Sequence, residues 1–163
     1  MLAPPRDQFA GRLGSARLVA LGVPLALLGG ALLSEYVGRL WPCEMCWWQR
    51  YPHGVAILLA IAALASPLNA PRTRFLTLFA ALAIAVSGAI GVFHAGVEYG
   101  LWEGLTTCTA GGATTLEEIM SVPLVRCDQV QWTLAGISLA GFNALFSLGG
   151  ALLIVLLAQR RPA

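Results

Sequence analysis

Four cysteines carry the chemistry this sequence offers. Cys43 and Cys46 stand in Trp41-Pro42-Cys43-Glu44-Met45-Cys46-Trp47-Trp48-Gln49-Arg50, and Cys108 and Cys127 enclose 18 residues further along. Pro42 suits the first turn of a helix, where its missing N–H is no loss. A helix starting there puts Cys43 and Cys46 at i and i+3 on one face, with Arg50 four residues after Cys46 on the same surface. A helix N-terminus and a nearby arginine both place positive charge beside sulfur and so favour thiolate over thiol. A short C-x-x-C ring also tends to give a labile, oxidising disulfide. Redox exchange is therefore the expected chemistry. Three other uses compete with it. Haem attachment needs a histidine after Cys46, where Trp47 stands. A zinc site using Cys43, Cys46, Cys108 and Cys127 is geometrically open, and two purely structural disulfides would serve as staples.

The elements that position these cysteines are set by where charge is missing. The chain has 163 residues, 58% hydrophobic and only 11% charged, with a mean hydropathy of +0.75. Lysine is absent, so every basic residue is an arginine. Uncharged runs of 17, 21, 23 and 31 residues separate Arg17 from Glu35, Arg50 from Arg72, Arg74 from Glu98 and Asp128 from Arg160. A membrane helix needs about 20 apolar residues. The expected fold is an all-α, four-span membrane bundle forming one domain over residues 1–163, with spans near 18–36, 50–68, 75–97 and 133–158. Its outer loops are then 37–49 and 98–132. A water-soluble enzyme, a nucleic-acid binder and a disordered tail are excluded.

Charge sign orients the bundle. The N-terminal tail (Arg6, Asp7, Arg12, Arg17) sums to +2, the connection with Arg72 and Arg74 to +2, and the C-terminal Arg160-Arg161 to +2. The connection holding Glu35, Arg39, Glu44 and Arg50 sums to zero, and the one from Glu98 to Asp128 to −4. Arginine excess marks the cytoplasmic side. Both termini are thus expected in the cytoplasm and both cysteine loops outside, where disulfides persist. A cleaved signal peptide ending near Gly29-Gly30-Ala31 competes with a retained first helix, but its apolar run is long for that role. Small-residue ladders such as Ala81/Ala85/Ala89, Ser87/Gly91/Ala95 and Gly136/Ala140/Ala144 predict close helix packing. Pro24 and Pro52 are expected to bend their helices locally.

The outer loop contains Thr115-Leu116-Glu117-Glu118, a capping-box pattern. Leu116, Ile119 and Met120 then share a helical face, which predicts a short amphipathic helix on the membrane surface. Gly111-Gly112 follow Cys108 closely and leave its sulfur open to a thiolate from another protein. At the outer membrane edge stand Gln49, Arg50, His53, His94 and Glu98, with His94 and Glu98 four apart and able to pair. Ionisable groups in or near a span are expensive and commonly functional. Trp41, Trp47, Trp48 and Trp132 lie at the same boundary and read mostly as belt anchors.

Taken together, these residues resemble the disulfide bond formation protein B (DsbB) family of bacterial inner-membrane oxidases. The resemblance runs from about Arg17 to Arg160. It rests on four spans, Pro42-Cys43-Glu44-Met45-Cys46 with Gln49-Arg50, His94 near the end of the third span, and the outer pair Cys108 and Cys127. Cys127-Asp128 through Trp132 into Gly136-Ile137-Ser138-Leu139-Ala140-Gly141 resembles the family's approach to the fourth span. The resemblance implies a relay through Cys43, Cys46, Cys108 and Cys127. A reduced periplasmic thiol oxidase of thioredoxin fold (DsbA-like) attacks a Cys108–Cys127 disulfide, Cys127 attacks Cys43, and Cys46 passes electrons to a membrane quinone, ubiquinone or menaquinone. It places Arg50, His94 and Gln49 at the quinone. Some family members carry Glu where Gln49 stands, so that position inherits no acid–base task, and His53 inherits no role. Two rivals remain: an enzyme resembling vitamin K epoxide reductase, whose C-x-x-C typically lies late in the bundle, and a non-catalytic assembly protein stapled by disulfides.

Overall fold

A computed structural model describes residues 6–105, 115 and 125–159. Four long helices account for most of them: α1 (Arg6–Tyr36), α2 (Glu44–Leu64), α3 (Pro71–Glu98) and α4 (Leu139–Ala158). By length and composition α1, α3 and α4 can each cross a membrane. Helix α2 is long enough as well, but Gln49, Arg50 and His53 make its first half too polar for that description. The proposed short helix near Leu116–Met120, and Cys108 with it, lie outside the described residues.

The bundle is packed inside out relative to a water-soluble one. Its core is largely alanine (Ala16, Ala20, Ala56, Ala60, Ala80, Ala151) with Leu13, Ile84 and Ile154, all buried. Large side chains such as Leu18, Leu58, Phe75, Leu82, Leu145 and Leu152 are exposed on the outside. In lipid this arrangement costs nothing, because acyl chains solvate leucine, and small residues let backbones approach closely. The approach is close between α3 and α4. A Cβ at Gly91 would lie 3.0 Å from both the Ala140 carbonyl oxygen and the Ala144 nitrogen, and one at Gly88 would lie 2.9 Å from Leu148.

Helix ends are stopped by chemistry visible in the sequence. Ala65 caps α2, and Ser66-Pro67 breaks the chain before Pro71 opens α3 at its first turn. The second helix therefore ends at Leu64, short of the expected 68. Arginines on this side bind terminal carbonyls: Arg17 donates to Ala63 and Ser66, Arg74 to Ala158 and Arg12 to Leu156. They close the helices, as cations at helix C-termini should.

At the opposite end the fourth helix starts at Leu139, later than the expected 133. Residues 133–138 instead form a hairpin, β1 (Thr133–Leu134) against β2 (Ile137–Ser138), with Thr133 opposite Ser138. Its two-residue turn holds Ala135 at φ 52° and Gly136 at φ 79°. Two successive positive φ values match the twist of a tight hairpin. Ser138 then caps α4 by accepting from the Gly141 N–H at 3.1 Å. The Tyr99 hydroxyl ties the hairpin to α3, donating to the Gly136 carbonyl and accepting from the Ser138 N–H.

Candidate functional site

Cys43 is the N-cap of α2. Its backbone is extended and its sulfur accepts from the Cys46 N–H at 3.2 Å. The first turn then carries Cys46 round so that the two sulfurs sit 2.7 Å apart. Cys43 is only 1% exposed, as is Cys127, which lies against it in a small cluster with Met45 and Val97. The Cys127 side chain hydrogen-bonds Cys43, and together with Cys46 and burial it pushes the Cys43 thiol upward. One sulfur thus touches two others.

From α3, His94 brings its Nε2 within 3.5 Å of the Cys43 sulfur and 3.8 Å of the Glu98 carboxylate. The pairing of His94 with Glu98 expected from their spacing is present in this looser form. Glu98 also accepts from the Ser138 hydroxyl. Residues 125–132 close over the centre, with the Gln131 amide donating to the Trp41 carbonyl at 2.8 Å. In this segment Arg126 forms two hydrogen bonds to the Asp128 carboxylate, holding its pKa below the usual carboxylate value. Both side chains are about half exposed, so the pair contributes little stability.

Arg50 lies on the same cavity wall as Cys46, but its guanidinium turns to α1. It donates to Glu35 at 2.5 Å and to the Ala31 carbonyl at 3.3 Å, and stacks on the Trp47 ring at 4.8 Å. Gln49, 7% exposed, sits at the centre of a polar network. Its amide nitrogen donates to the Met45 carbonyl and to His94 Nδ1, and its oxygen accepts from Asn143 of α4 at 2.7 Å. Asn143 continues to Ser87 and His53, the latter at 2.8 Å.

A cavity of about 240 Å³ opens between α1, α2 and α4 beside these groups. Cys46, Arg50, His94 and His53 line its polar side, and apolar residues such as Leu27 and Phe142 line the other. Apolar walls with a few converging polar groups are the usual build of a small-molecule site. Cys43, Cys46 and His94 also place their donor atoms within 4.8 Å of one another, a spacing that a soft cation accepts.

Of the residues singled out in the sequence, the structure brings Cys43, Cys46, Cys127, Gln49, Arg50 and His94 together. Glu35, Ser87, His53 and Asn143 were not assigned to the site. Asn143 had a signal: it is a lone amide inside the most apolar helix. Glu35 was hidden because it was counted only as a loop charge.

Comparisons with known proteins identify a family. The family model for "Disulfide bond formation protein DsbB" matches residues 14–157. The "Disulfide bond formation protein B" of Stutzerimonas stutzeri (strain A1501) is 29% identical over 170 residues, covering 98% of each chain. "Uncharacterized protein RP370" of Rickettsia prowazekii (strain Madrid E) is 23% identical over 139 residues, 80% of this chain and 79% of the relative. No solved structure matches. The chain, with its C-x-x-C at a helix mouth and its match over most of its length, belongs to the DsbB family of disulfide bond formation proteins.

Proposed function

We propose that the chain is a protein-dithiol:quinone oxidoreductase of the bacterial inner membrane. It reoxidises a periplasmic, DsbA-like thiol oxidase and hands the electrons to the quinone pool, ubiquinone or menaquinone. The single observation that carries the reading is Cys43, whose sulfur meets Cys46 at 2.7 Å and Cys127 by hydrogen bond. Thiol–disulfide exchange needs an attacking and a leaving sulfur at one centre.

The steps balance as successive exchanges. A partner thiolate attacks Cys108 of a Cys108–Cys127 disulfide, and the electron pair of the broken bond goes to Cys127. Cys127 then attacks Cys43, and the Cys43–Cys46 bond breaks with its pair on Cys46. That sulfur lines the cavity, so the charge arrives beside Arg50. The cavity suits a flat ring with polar oxygens, because its walls are mostly apolar and Arg50 lines its polar side. A quinone bound there supplies a two-electron, two-proton sink. Arg50 holds positive charge at the mouth, balanced by Glu35, and stabilises negative charge on a ring oxygen or on Cys46. Gln49 and His94 fix the polar wall.

In this reading α2 is the second of four spans, both termini are cytoplasmic and both cysteine loops are periplasmic. The polar first half of α2 then lies at the outer interface, facing the cavity. The test is purified protein in detergent, given a soluble quinone analogue and a reduced thioredoxin-fold oxidase, with quinone absorbance followed over time. Turnover that disappears in Cys46→Ser is the expected result. A flat trace with both ubiquinone and menaquinone analogues, with both disulfides staying closed, leaves a stapled assembly protein instead.

A further inference from the structure

The polar network beneath the cysteines has a direction. Asn143 is fixed in orientation because its amide nitrogen donates to a backbone carbonyl, that of Ser87, at 3.1 Å. Its oxygen must therefore face the other way, where it accepts from His53 Nε2 at 2.8 Å and from Ser147 at 2.9 Å. Gln49 is fixed in the same manner, since its nitrogen donates to the Met45 carbonyl at 3.1 Å and its oxygen accepts from Asn143. A flip of either amide would set nitrogen against nitrogen or oxygen against a carbonyl. The Gln49 nitrogen must then donate to His94 Nδ1 at 2.9 Å, which makes Nδ1 the acceptor and leaves the neutral ring its proton on Nε2. That nitrogen lies 3.5 Å from the Cys43 sulfur.

We propose that Asn143 and Gln49 are positioning residues that hold His94 with its proton on Nε2, so that the ring donates to the Cys43 sulfur whenever that sulfur carries an electron pair. The inference rests on the exchange relay proposed above and adds a role for Asn143, and a second one for Gln49 and His94, which that reading uses only in the cavity wall. The relay leaves Cys43 joined to Cys127, and when the Cys108 thiolate, released by the partner's second sulfur, attacks Cys127, the Cys108–Cys127 bond re-forms. The old bond breaks, and its electron pair goes to Cys43. Two donors then meet the thiolate, His94 Nε2–H and the Cys46 N–H. Bonds that all run one way, His53 to Asn143 to Gln49 to His94 to Cys43, polarise one another and strengthen the last donor. The proton on Nε2 also occupies the lone pair that a cation shared with Cys43 and Cys46 would need.

The groups facing Cys43 are few. Cys46 comes from α2, His94 and Glu98 from α3, and Cys127 from the covering segment, while α4 has no titratable residue. Arg50 is paired with Glu35, and Arg126 with Asp128. Among the described residues His94 is the one ring donor on the sulfur, and the same ring also meets the Cys127 backbone and the Glu98 carboxylate.

The experiment uses the full chain in detergent, labelled with ¹⁵N-histidine. Only two histidines are present, and a His94→Gln sample identifies which signals belong to His94. The expected wild-type spectrum shows His94 Nδ1 as the bare nitrogen and Nε2 as the protonated one, and Gln49→Met turns this into a mixture of tautomers. A wild-type His94 protonated on Nδ1 overturns the proposal without any variant having to fold. The second readout is the pH dependence of Cys43 alkylation in a Cys46→Ser/Cys108→Ser/Cys127→Ser background. There Gln49→Met and Asn143→Leu should each raise the midpoint by about one pH unit, a tenfold change in thiolate fraction. An unmoved midpoint in folded variants also overturns it. Neither readout needs quinone or partner, so a relay that fails in turnover leaves both intact. Their failure alongside normal turnover removes the positioning role alone.

Discussion

The ion pair between Arg50 and Glu35 joins α1 to α2 at the cavity mouth, and its energy can be measured by a double-mutant cycle. The two side chains are 9% and 13% exposed, so the pair is shielded from water. Arg50→Met strands the Glu35 carboxylate, and removing one partner of a buried pair costs about 3–5 kcal/mol. Glu35→Gln is milder. The new amide oxygen still accepts from the guanidinium, and the Ala31 carbonyl and Trp47 ring remain. The loss is then that of charge assistance, about 1–2 kcal/mol. In Arg50→Met/Glu35→Gln no charge is left stranded, so a coupling energy of about 2–3 kcal/mol is expected. Unfolding in mixed micelles of mild detergent and SDS, followed by tryptophan fluorescence, reads all four corners. Additivity within about 0.5 kcal/mol would refute the reasoning, because it is the behaviour of a screened surface pair.

Other perturbations separate packing from chemistry. Gly91→Val drives a branched side chain into the Ala140 carbonyl and the Ala144 backbone, and should destabilise by about 1–3 kcal/mol in the same micelle assay. Gly96→Ala places a Cβ within 2.0 Å of the Trp102 ring, so Trp102 must leave its stack on Phe93, seen as a shift in tryptophan emission. Arg17→Ala removes the guanidinium from the Ala63 and Ser66 carbonyls, of which Ala63 keeps the Ser66 N–H, and should cost about 1–2 kcal/mol. Cys127→Ser removes the largest influence raising the Cys43 thiol, so alkylation of Cys43, resolved by mass spectrometry on reduced protein, should begin at lower pH. An unchanged pH profile would show that the two sulfurs are not in contact.

Much of the bundle was legible because charge is so sparse. The uncharged runs locate α3 to within a few residues and the ends of α1 and α4, whereas α1 begins well before the expected 18 and α4 after the expected 133; small-residue ladders mark the α3–α4 contact through Gly91, Ala140 and Ala144. The start of α4 was not legible, because hydropathy cannot see a hairpin. Thr133 and Leu134 read as the start of the apolar helix, and only the positive φ of Ala135 and Gly136 reveals the turn. At the site, spacing along α2 puts Cys43, Cys46 and Arg50 on one face, and all three line the cavity. What spacing could not supply was partners from other helices. Glu35 lies fifteen residues from Arg50, and Asn143 ninety-four from Gln49. Both contacts depend on helix rotation, which is set by packing.

The weak apolarity of α2 follows from its position. Its first half carries Gln49, Arg50 and His53 inside the bundle, where an unpaired polar group costs several kcal/mol, on the order of the cost in hydrocarbon. Nearly all of that cost is offset by partners on other helices: Glu35 and Ala31 on α1, Ser87 and His94 on α3, Asn143 on α4. A helix satisfied in this way can turn no other face inward, because any rotation would strand the arginine, the amide and the imidazole together. The polarity that disqualifies α2 as an ordinary span is thus what fixes its rotation. That rotation in turn brings the Cys43 cap under His94 and Cys127. Replacing Gln49 and Asn143 by apolar residues of like size would leave a more hydrophobic bundle, but one free to settle with its cysteines out of line. The sulfur centre and the buried amides are two ends of one packing solution.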